Sequence, residues 1–196
     1  MPLEEDLIAR GTWPLCGIDE AGRGPLAGPV VAAAVIMDPA SPLRDRVRDS
    51  KQLSGPRREK IFLDLVSSAE VHYGVSVLDA AAIDEMNILQ ATLKAMAEAV
   101  SHLAVPPRVA LVDGNTLPCI PCTCYAVIRG DQTEPSISAA SIIAKVTRDR
   151  IMTQMDKIYP GYGFSRHKGY PTPDHYAAIR TLGASPIHRR SFRGVS

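Results

Sequence analysis

Four acidic residues stand at the ends of short apolar runs of the kind that form buried β-strands. Asp19 and Glu20 follow the apolar start of "LCGIDEAG", Asp113 lies at the end of "RVALVDG", and Asp131 closes "CYAVIRGD". Carboxylates that converge repel one another, and each raises the pKa of the others. A divalent cation among them offsets this cost, and ligation by oxygen alone suits Mg²⁺ or Mn²⁺. Two such ions about 3.5–4 Å apart can activate a water and stabilise the leaving oxygen in phosphodiester cleavage.

The alternative is that these acids are separate turn and cap residues, since Asp before Gly is a common turn signal. For any one acid alone that alternative is preferred, but four acids at equivalent strand ends favour a shared site. One geometric condition applies to Asp19 and Glu20, because neighbours on an ideal strand point to opposite faces. They can share a site only if the strand ends or bends there, which Gly22 and Gly24 would permit.

The order of the strands and helices predicted around these acids indicates a mixed α/β fold. Alternating and apolar runs predict five strands, and longer periodic segments predict two long helices and two shorter ones, in the approximate order β-β-β-α-β-α-β-α with one short helix before the third strand. Asp79 is expected to cap the first long helix, with a turn before its main part at Asp84. The second long helix starts near 134, and Ser138, Ala139, Ala140 and Ser141 are expected to let it pack closely.

Composition is typical of a globular domain and excludes a membrane-spanning segment. The 196 residues are 45% hydrophobic and 22% charged, and no apolar run approaches the roughly 20 residues that a span needs. We expect one domain over 1–196, with a core at about 15–160 and a basic C-terminal extension at about 161–196. The start "MPLEEDLIAR" lacks a signal pattern, so a cytoplasmic location is expected.

Charge is distributed unevenly along the chain, although the net charge is only +1. Residues 1–144 carry 12 Lys and Arg against 18 Asp and Glu, a net charge of −6, whereas residues 145–196 carry 10 against 3, a net charge of +7. An acidic body with a basic final quarter fits a metal-binding core beside an edge that binds phosphates. A solvated basic face is the alternative.

The four cysteines predict neither a disulfide framework nor a firm zinc site. Cys119, Cys122 and Cys124 lie within "CIPCTC", so a four-ligand zinc site would need Cys16 as well. No second cysteine pair accompanies the first, which argues against zinc.

Seven ordered blocks resemble the type 2 ribonuclease H family, that is, bacterial ribonuclease HII. The blocks are "GIDEAGRGPLAGPVVAAAV", "DSKQLS", "NILQAT", "LVDGN", "SAASIIAKVTRDR", "YGFSRHKGYPT" and "HRRSF". They span roughly residues 15–193, and the family's usual Lys is replaced by Arg129 in "RGD". The resemblance implies an α/β, ribonuclease H-like mixed five-stranded sheet flanked by helices, with a C-terminal helical and loop extension.

The resemblance also implies the activity and the catalytic residues. The expected enzyme cleaves the RNA strand of RNA–DNA hybrids and incises duplex DNA 5′ of single ribonucleotides, by a two-metal-ion mechanism that leaves 3′-hydroxyl and 5′-phosphate ends. The expected cofactor is Mn²⁺ or Mg²⁺. The family's catalytic and metal-binding carboxylates correspond to Asp19, Glu20, Asp113 and Asp131, the four residues that the charge pattern had already selected.

Substrate contacts follow from the same resemblance. Gly22, Arg23 and Gly24 match a segment that contacts the nucleic-acid backbone, where glycine lets main-chain N–H and C=O groups approach a 2′-hydroxyl. Tyr170 matches a tyrosine that packs against the neighbouring sugar. Ser50, Lys51 and Lys168 are expected to contact the substrate backbone, and His167 to be structural.

Two further cations are selected by spacing rather than by resemblance. Lys145 and Arg148 lie three residues apart and so share a helix face, where they could bind phosphates without sequence preference. A solvated helix face that includes Asp149 is the alternative. Arg189 and Arg190 could support either the fold or the DNA-binding edge.

Two other functions stay open on the sequence alone. A non-catalytic module could bind hybrids without cutting them, although the complete set of carboxylates argues against it. Another nuclease of the same broad fold, such as a resolvase or an exonuclease, would not need the Gly22–Gly24 segment or Tyr170. The partners expected are RNA–DNA hybrids and DNA duplexes that contain ribonucleotides; we expect a monomer, no membrane partner and no clamp-binding peptide in the tail "RRSFRGVS".

Overall fold

A mixed five-stranded sheet lies at the centre of the protein, in a computed structural model that describes residues 2–47 and 54–195. The strand order is β3-β2-β1-β4-β5. The three strands β1, β2 and β3 pair antiparallel, whereas β1–β4 and β4–β5 pair in parallel. The strands are β1 Leu15–Ala21, β2 Val30–Met37, β3 Val71–Leu78, β4 Val109–Asp113 and β5 Thr123–Val127. The predicted mixed α/β sheet of five strands is confirmed.

Helices flank both faces of the sheet. Within the described residues they are α1 Leu3–Ala9, α2 Leu43–Val47, α3 Gly55–Ser67, α4 Ala80–Met86, α5 Ile88–Ser101, α6 Gly130–Thr133, α7 Pro135–Ile158, α8 Phe164–His167 and α9 Pro173–Leu182. Four short helices, α1, α2, α6 and α8, were not predicted. The described stretch 114–122 between β4 and β5 contains no helix, so the predicted order is wrong there; Gly114, Pro118 and Pro121 disfavour helix in that segment.

The long helical segment after β3 divides at Asn87 and not at Asp84. Asp79 caps α4 as predicted, because its side chain accepts a hydrogen bond from the N–H of Ala82 (2.9 Å). Asn87 has a positive φ of 69°, which ends α4, and its side chain then accepts from the N–H groups of Leu89 and Gln90 to cap α5. The ψ of 163° places Asn87 outside the left-handed helical region, so this conformation is strained, and the two cap hydrogen bonds oppose the strain.

The core has two layers because strand β2 buries both of its faces. Val31, Ala33, Val35 and Met37 pack with residues of α3 and α7, whereas the alternate residues Ala32, Ala34 and Ile36 pack with α5. A strand covered on both sides has no polar face, which explains why "VVAAAVIM" is apolar throughout.

Helix α7 lies directly against β1 and is anchored at its first turn. A Cβ on Gly17 of β1 would collide with the backbone of Ser136 and Ile137, so glycine is required for this close approach. The buried Glu4 of α1 accepts hydrogen bonds from the Ser136 N–H (2.9 Å) and Oγ (2.8 Å) and pairs with Arg44 (2.7 Å). These contacts fix the start of α7 beside the sheet edge that carries the acids.

The C-terminal segment returns to the sheet through main-chain contacts. His188 forms an isolated β-bridge with Ala27, and the N–H of Gly28 donates to the carbonyl of Ile187 (2.8 Å). Among the residues described, no helix has the length and apolar character needed to cross a bilayer. The division into a core at 15–160 and an extension at 161–196 stays a prediction.

Candidate active site

Two parallel strands bring Asp19 and Asp113 to the same edge of the sheet. Ile18 pairs with Val112, so each aspartate comes directly after a paired position on adjacent strands. Neighbouring strands lie about 4.8 Å apart, which brings the two carboxylates into one region. Asp131 enters from α6 after β5, and its backbone N–H donates a 3.3 Å hydrogen bond to Asp113 Oδ1.

Strand β1 does not end or bend between Asp19 and Glu20, which corrects the geometric condition drawn from the sequence. The strand continues to Ala21, with Glu20 paired to Ala32 and Ala21 to Val31 on β2. The chain turns only at Gly22, where φ is 102°. Glu20 nevertheless interacts electrostatically with both Asp19 and Asp113, so it joins the site from the end of a continuous strand.

Burial and mutual repulsion raise the pKa of both acids on β1. The pKa of Asp19 lies well above its ordinary value because the side chain is buried and because Glu20 and Asp113 are negatively charged. The pKa of Glu20 is also raised, mainly by burial; Arg23, whose Nη1 lies 3.4 Å from Glu20 Oε1, opposes this shift, and Asp113 adds to it. Repulsion and burial make it unfavourable for all three acids to be ionised together, and a bound cation would offset this cost.

Two serines of α7 hold the segments that carry the acids, although the sequence analysis assigned them only to helix packing. Ser141 hydrogen-bonds the Asp19 carboxylate and so lowers its pKa, against the larger effect of burial. Ser138 Oγ donates to the main-chain carbonyl of Asp131 at 2.6 Å. Hydroxyl residues three apart share a helix face, and this spacing is the signal that could have identified them.

The chemistry of the acids fits a hard divalent cation, because every donor is a carboxylate oxygen. In residues 2–47 and 54–195, however, no three acidic, histidine or cysteine side chains already stand in an arrangement that could hold an ion. A cation would offset the repulsion among these like charges. Asp19, Glu20, Asp113 and Asp131 supply oxygen donors of the type that such an ion takes.

The segment Gly22–Gly24 forms a loop directly after the acids. Arg23 and Gly24 are exposed, whereas Gly22 is buried, and a Cβ on Gly22 would collide with the Arg148 side chain. Glycine at position 22 is thus required by both its positive φ and this contact. Gly24 is thus exposed next to the segment that carries Asp19 and Glu20, whereas the Arg23 carbonyl accepts from Arg189.

Two buried arginines hold this loop from behind. Arg148 donates to the main-chain carbonyls of Pro29 (2.9 Å), Ala27 (3.1 Å) and Lys168 (3.0 Å). Arg189 donates to the carbonyls of Gly28, Arg23 and Gly22, at 3.0, 3.0 and 2.5 Å. Arginine suits this role because its planar donors form a fixed fork.

These contacts correct the expectation that Arg148 binds phosphate. Its side chain is fully buried and directs its donors at protein carbonyls. The prediction failed because helix spacing alone does not reveal whether a residue's side of the helix is exposed or covered. For Arg189, left open between fold and DNA edge, the same burial supports the fold.

Tyr170, Lys168 and Lys145 lie beside the loop. Tyr170 is 41% exposed, and its Cε1 would be 3.8 Å from a Cβ on Gly24. Lys145 Nζ lies 5.9 Å from the centre of that ring and pairs with Asp149 at 2.8 Å, and Lys168 Nζ donates to Thr153 Oγ1 at 2.8 Å. The predicted contacts Ser50 and Lys51 lie outside the described residues.

The four cysteines are free thiols. Burial raises the pKa of Cys16, and burial together with Cys124 raises the pKa of Cys122 to about 11. Among the described residues, no three of these thiols, or of thiols with acidic or histidine side chains, are arranged as a metal site.

Comparison with known proteins decides the family. The family model described as Ribonuclease HII matches residues 16–195 of this chain. The chain belongs to the ribonuclease HII family. It is 54% identical over 193 residues to ribonuclease HII of Geobacter metallireducens, an alignment that covers 97% of this chain and 89% of that protein. Family membership makes the chain a hydrolase and a nuclease of the ribonuclease H class, whose members depend on divalent metal ions.

Solved structures show the same fold. Ribonuclease H2 from Pyrococcus horikoshii OT3 is 32% identical, with a TM-score of 0.77 over 92% of this chain and 94% of that chain. The ribonuclease HII of the PCNA complex from Archaeoglobus fulgidus is 27% identical, with a TM-score of 0.77 over 91% and 95% of the two chains. Bst-RNase HIII in complex with Mn²⁺ is 20% identical, with a TM-score of 0.70 over 92% and 67%, and supports the fold alone.

Proposed function

We propose that this chain is an endonuclease that cuts the RNA strand of RNA–DNA hybrids and incises duplex DNA on the 5′ side of a single ribonucleotide. The products would carry 3′-hydroxyl and 5′-phosphate ends. One observation carries the proposal: Asp19 and Asp113 follow paired positions on adjacent parallel strands, with Glu20 next to Asp19, and this group precedes a glycine loop that contacts a tyrosine ring. Membership of the ribonuclease HII family supports the activity on hybrids.

The acids are proposed to hold two divalent ions, Mn²⁺ or Mg²⁺. Asp19, Asp113 and Asp131 would bind metal directly, and Glu20 would bind it directly or through a water. Bound ions would activate the attacking water and stabilise the leaving oxygen. The chain's own contribution is to hold the carboxylates at one edge, through the β1–β4 pairing and the hydrogen bond from Ser141 to Asp19.

Recognition of the ribonucleotide is assigned to Gly22–Gly24 and Tyr170. A 2′-hydroxyl both donates and accepts, and main-chain groups of an exposed glycine loop can serve as its partners. Arg189 holds the carbonyls of Gly22 and Arg23 in fixed directions, which pre-organises the loop before substrate binds. Tyr170 would pack its ring against the neighbouring sugar.

Contacts to the rest of the duplex are proposed for Lys145, Lys168, Ser50 and Lys51. Lys168 lines a groove of about 580 Å³ between α3 and α7, together with Arg58 and Arg150. The side chains of Glu59 and Asp149 also line this groove, so its charge is mixed. Such contacts would act on phosphates and make binding salt-dependent.

The proposed partners are nucleic acids alone, with the enzyme acting as a monomer in the cytoplasm. Its four free thiols suit a reducing compartment. The Archaeoglobus fulgidus protein is described in complex with PCNA.

The experiment uses a labelled DNA duplex with one ribonucleotide, incubated with Mn²⁺ or Mg²⁺, beside an all-DNA duplex and a continuous RNA–DNA hybrid. We expect one cut at the ribonucleotide, none in the all-DNA control, and complete loss of cutting in EDTA. Mass spectrometry of the fragments should find 3′-hydroxyl and 5′-phosphate termini. Cutting of the hybrid alone would overturn the roles given to Gly22–Gly24 and Tyr170, and cutting of neither substrate would overturn the proposed activity.

A further inference from the structure

A chain of hydrogen bonds through two buried histidines links the C-terminal segment to Tyr170. His175 is fully buried and His188 is 2% exposed. The N–H of Ser185 donates to His188 Nδ1 (2.9 Å), the two Nε2 atoms of His188 and His175 lie 3.0 Å apart, and His175 Nδ1 lies 3.0 Å from the carbonyl oxygen of Tyr170. Each imidazole nitrogen of the pair therefore has a partner.

These partners determine where each proton lies. A carbonyl only accepts, so His175 Nδ1 carries a proton and donates to Tyr170. A backbone N–H only donates, so His188 Nδ1 accepts from the Ser185 N–H, and the Ser185 hydroxyl, whose Oγ lies 2.8 Å away, can donate to the same nitrogen. The remaining pair is satisfied when His188 Nε2–H donates to His175 Nε2. All of these hydrogen bonds form when each ring carries one proton, and the donors then point from His188 through His175 to Tyr170.

A proton added to either ring would break this order. A doubly protonated His175 would set its Nε2–H against the His188 Nε2–H, and a doubly protonated His188 would set its Nδ1–H against the Ser185 N–H, with the Ser185 hydroxyl as the one nearby acceptor for it. The groups around the pair also oppose a positive charge, because His167 stacks on His175 (centroids 4.4 Å apart) and Arg190 acts on His188. Burial lowers the pKa of both rings, in agreement with this geometry.

At one end of this series of hydrogen bonds, His175 holds the backbone of Tyr170 beside the glycine loop. The Tyr170 carbonyl accepts both from His175 and from the N–H of Thr172 (2.9 Å), which holds the main chain of the residue whose ring adjoins Gly24. The Tyr170 N–H also donates to the His167 carbonyl (2.9 Å), and the Leu26 N–H donates to the carbonyl of Gly169 (2.8 Å), so the bond from His175 is one of several that hold this backbone near the loop.

The other end lies behind the glycine loop. His188 pairs with Ala27, and the next residue, Arg189, binds the carbonyls of Gly22 and Arg23. The two histidines therefore bridge the segments that carry the two parts of the proposed recognition site.

We propose that His175 and His188 are positioning residues, whose neutral and oppositely protonated rings set the spacing between Tyr170 and the Gly22–Gly24 loop for incision at single ribonucleotides. The proposal rests on the proposed function, and its effect falls on single-ribonucleotide substrates more than on continuous hybrids. Neither ring touches the substrate or the acids.

Nitrogen NMR of the wild-type protein tests the proton positions directly. Two-bond ¹⁵N–¹H spectra at neutral pH should find His175 protonated at Nδ1 and His188 protonated at Nε2. The Nδ1-protonated tautomer is the less common one for a histidine side chain in water, so its presence in His175 would be a specific signature. Nε2 protonation of both rings, or a doubly protonated ring at neutral pH, would overturn the proposal.

A set of variants tests the effect on incision. His175→Leu removes the donor to Tyr170 and should lower kcat/KM on the single-ribonucleotide duplex about tenfold relative to the hybrid. His175→Asn keeps an N–H donor near the Nδ1 position and should restore most of that ratio. His102→Leu is the matched control, because its Nδ1 also lies 2.9 Å from a carbonyl, that of Val75, and it should leave the ratio unchanged.

The outcomes separate the two proposals. A wild-type protein that cuts neither substrate would overturn the proposed function. A wild-type protein that cuts both, with His175→Leu lowering both rates by the same factor, would overturn the positioning role and indicate general destabilisation. Failure of His175→Asn to rescue the ratio would likewise contradict a role for the bond to Tyr170.

Discussion

Replacement of Gly24 by alanine tests whether the main chain of the glycine loop receives the ribose. A Cβ on Gly24 meets only the Tyr170 ring, at 3.8 Å from Cε1, which is an ordinary van der Waals distance. Gly24 also lacks a positive φ, so alanine brings no backbone strain. We expect Gly24→Ala to change the free energy of unfolding by less than about 0.5 kcal/mol.

The added methyl group should act on the substrate instead. A 2′-hydroxyl that bonds to the main chain must come within about 3 Å of it, and the methyl group of alanine would occupy that approach. Loss of such a bond costs about 1.5–3 kcal/mol in the transition state, which corresponds to a decrease in kcat/KM of roughly tenfold to a hundredfold.

Gly22→Ala is the matched comparison, two residues away, and should behave in the opposite way. Its φ is 102°, and a Cβ there would collide with Arg148 and lie 2.7 Å from the Pro29 carbonyl oxygen. The left-handed backbone and the displaced arginine should together lower the free energy of unfolding by about 2–4 kcal/mol.

Urea unfolding and kcat/KM on the single-ribonucleotide duplex measure both effects in the same preparations. Wild-type kcat/KM in a stable Gly24→Ala protein would refute the assignment of this loop as the ribose contact. A Gly22→Ala protein as stable as the wild type would refute the packing argument for that glycine.

Three other predictions address the acids, the buried histidines and Arg148. Asp113→Asn should lower the cleavage rate by roughly a hundredfold or more while leaving the melting temperature, followed by circular dichroism, at or above that of the wild type, because it removes one of the repelling charges around Asp19; a fully active variant would contradict the metal-binding role. Burial lowers the pKa of His188 to about 4 from an ordinary 6.5, so the unfolded chain takes up the proton at a higher pH than the folded protein does. The free energy of unfolding should therefore fall by about 3 kcal/mol as the pH decreases from above 6.5 towards 4. Urea unfolding at several pH values measures this decrease, and the contribution of His188 to it should be absent in His188→Leu. Arg148→Met should lower the free energy of unfolding by about 3 kcal/mol, since it removes donors to main-chain carbonyls; unchanged stability with a raised KM would instead indicate the phosphate contact expected from the sequence.

The sheet and the principal helices could be predicted because their patterns are local. The apolar run of β2 and the periodic segment of α7 each indicate their structure within one window of sequence. The short helix α1 could not be predicted, because its stability depends on Glu4 reaching Ser136 and Arg44, which are distant in sequence. The break at Asn87 was missed, although asparagine is a preferred residue at the N-cap of a helix and is therefore a local signal.

The positions of the proposed acids at strand ends could be predicted from the sequence, whereas the residues that hold these segments could not. Apolar runs followed by glycine place Asp19 and Asp113 near the ends of strands, and the two strands pair in parallel. The role of Arg148 depends on carbonyls at positions 27 and 29, more than a hundred residues away, so its spacing from Lys145 gave the wrong function. The same is true of Arg189 and of the histidine pair, whose partners become neighbours only in the folded chain.

The most direct test of the central claim compares a duplex that carries one ribonucleotide with the same duplex carrying a 2′-O-methyl nucleotide at that position. Both are incubated with the wild-type protein and Mn²⁺, and the cut is mapped at single-nucleotide resolution. The account predicts one cut, immediately 5′ of the ribonucleotide, and none in the 2′-O-methyl duplex, because the methyl group removes the donor that the glycine loop would recognise. Equal cutting of the two duplexes, or a cut on the 3′ side, would contradict it.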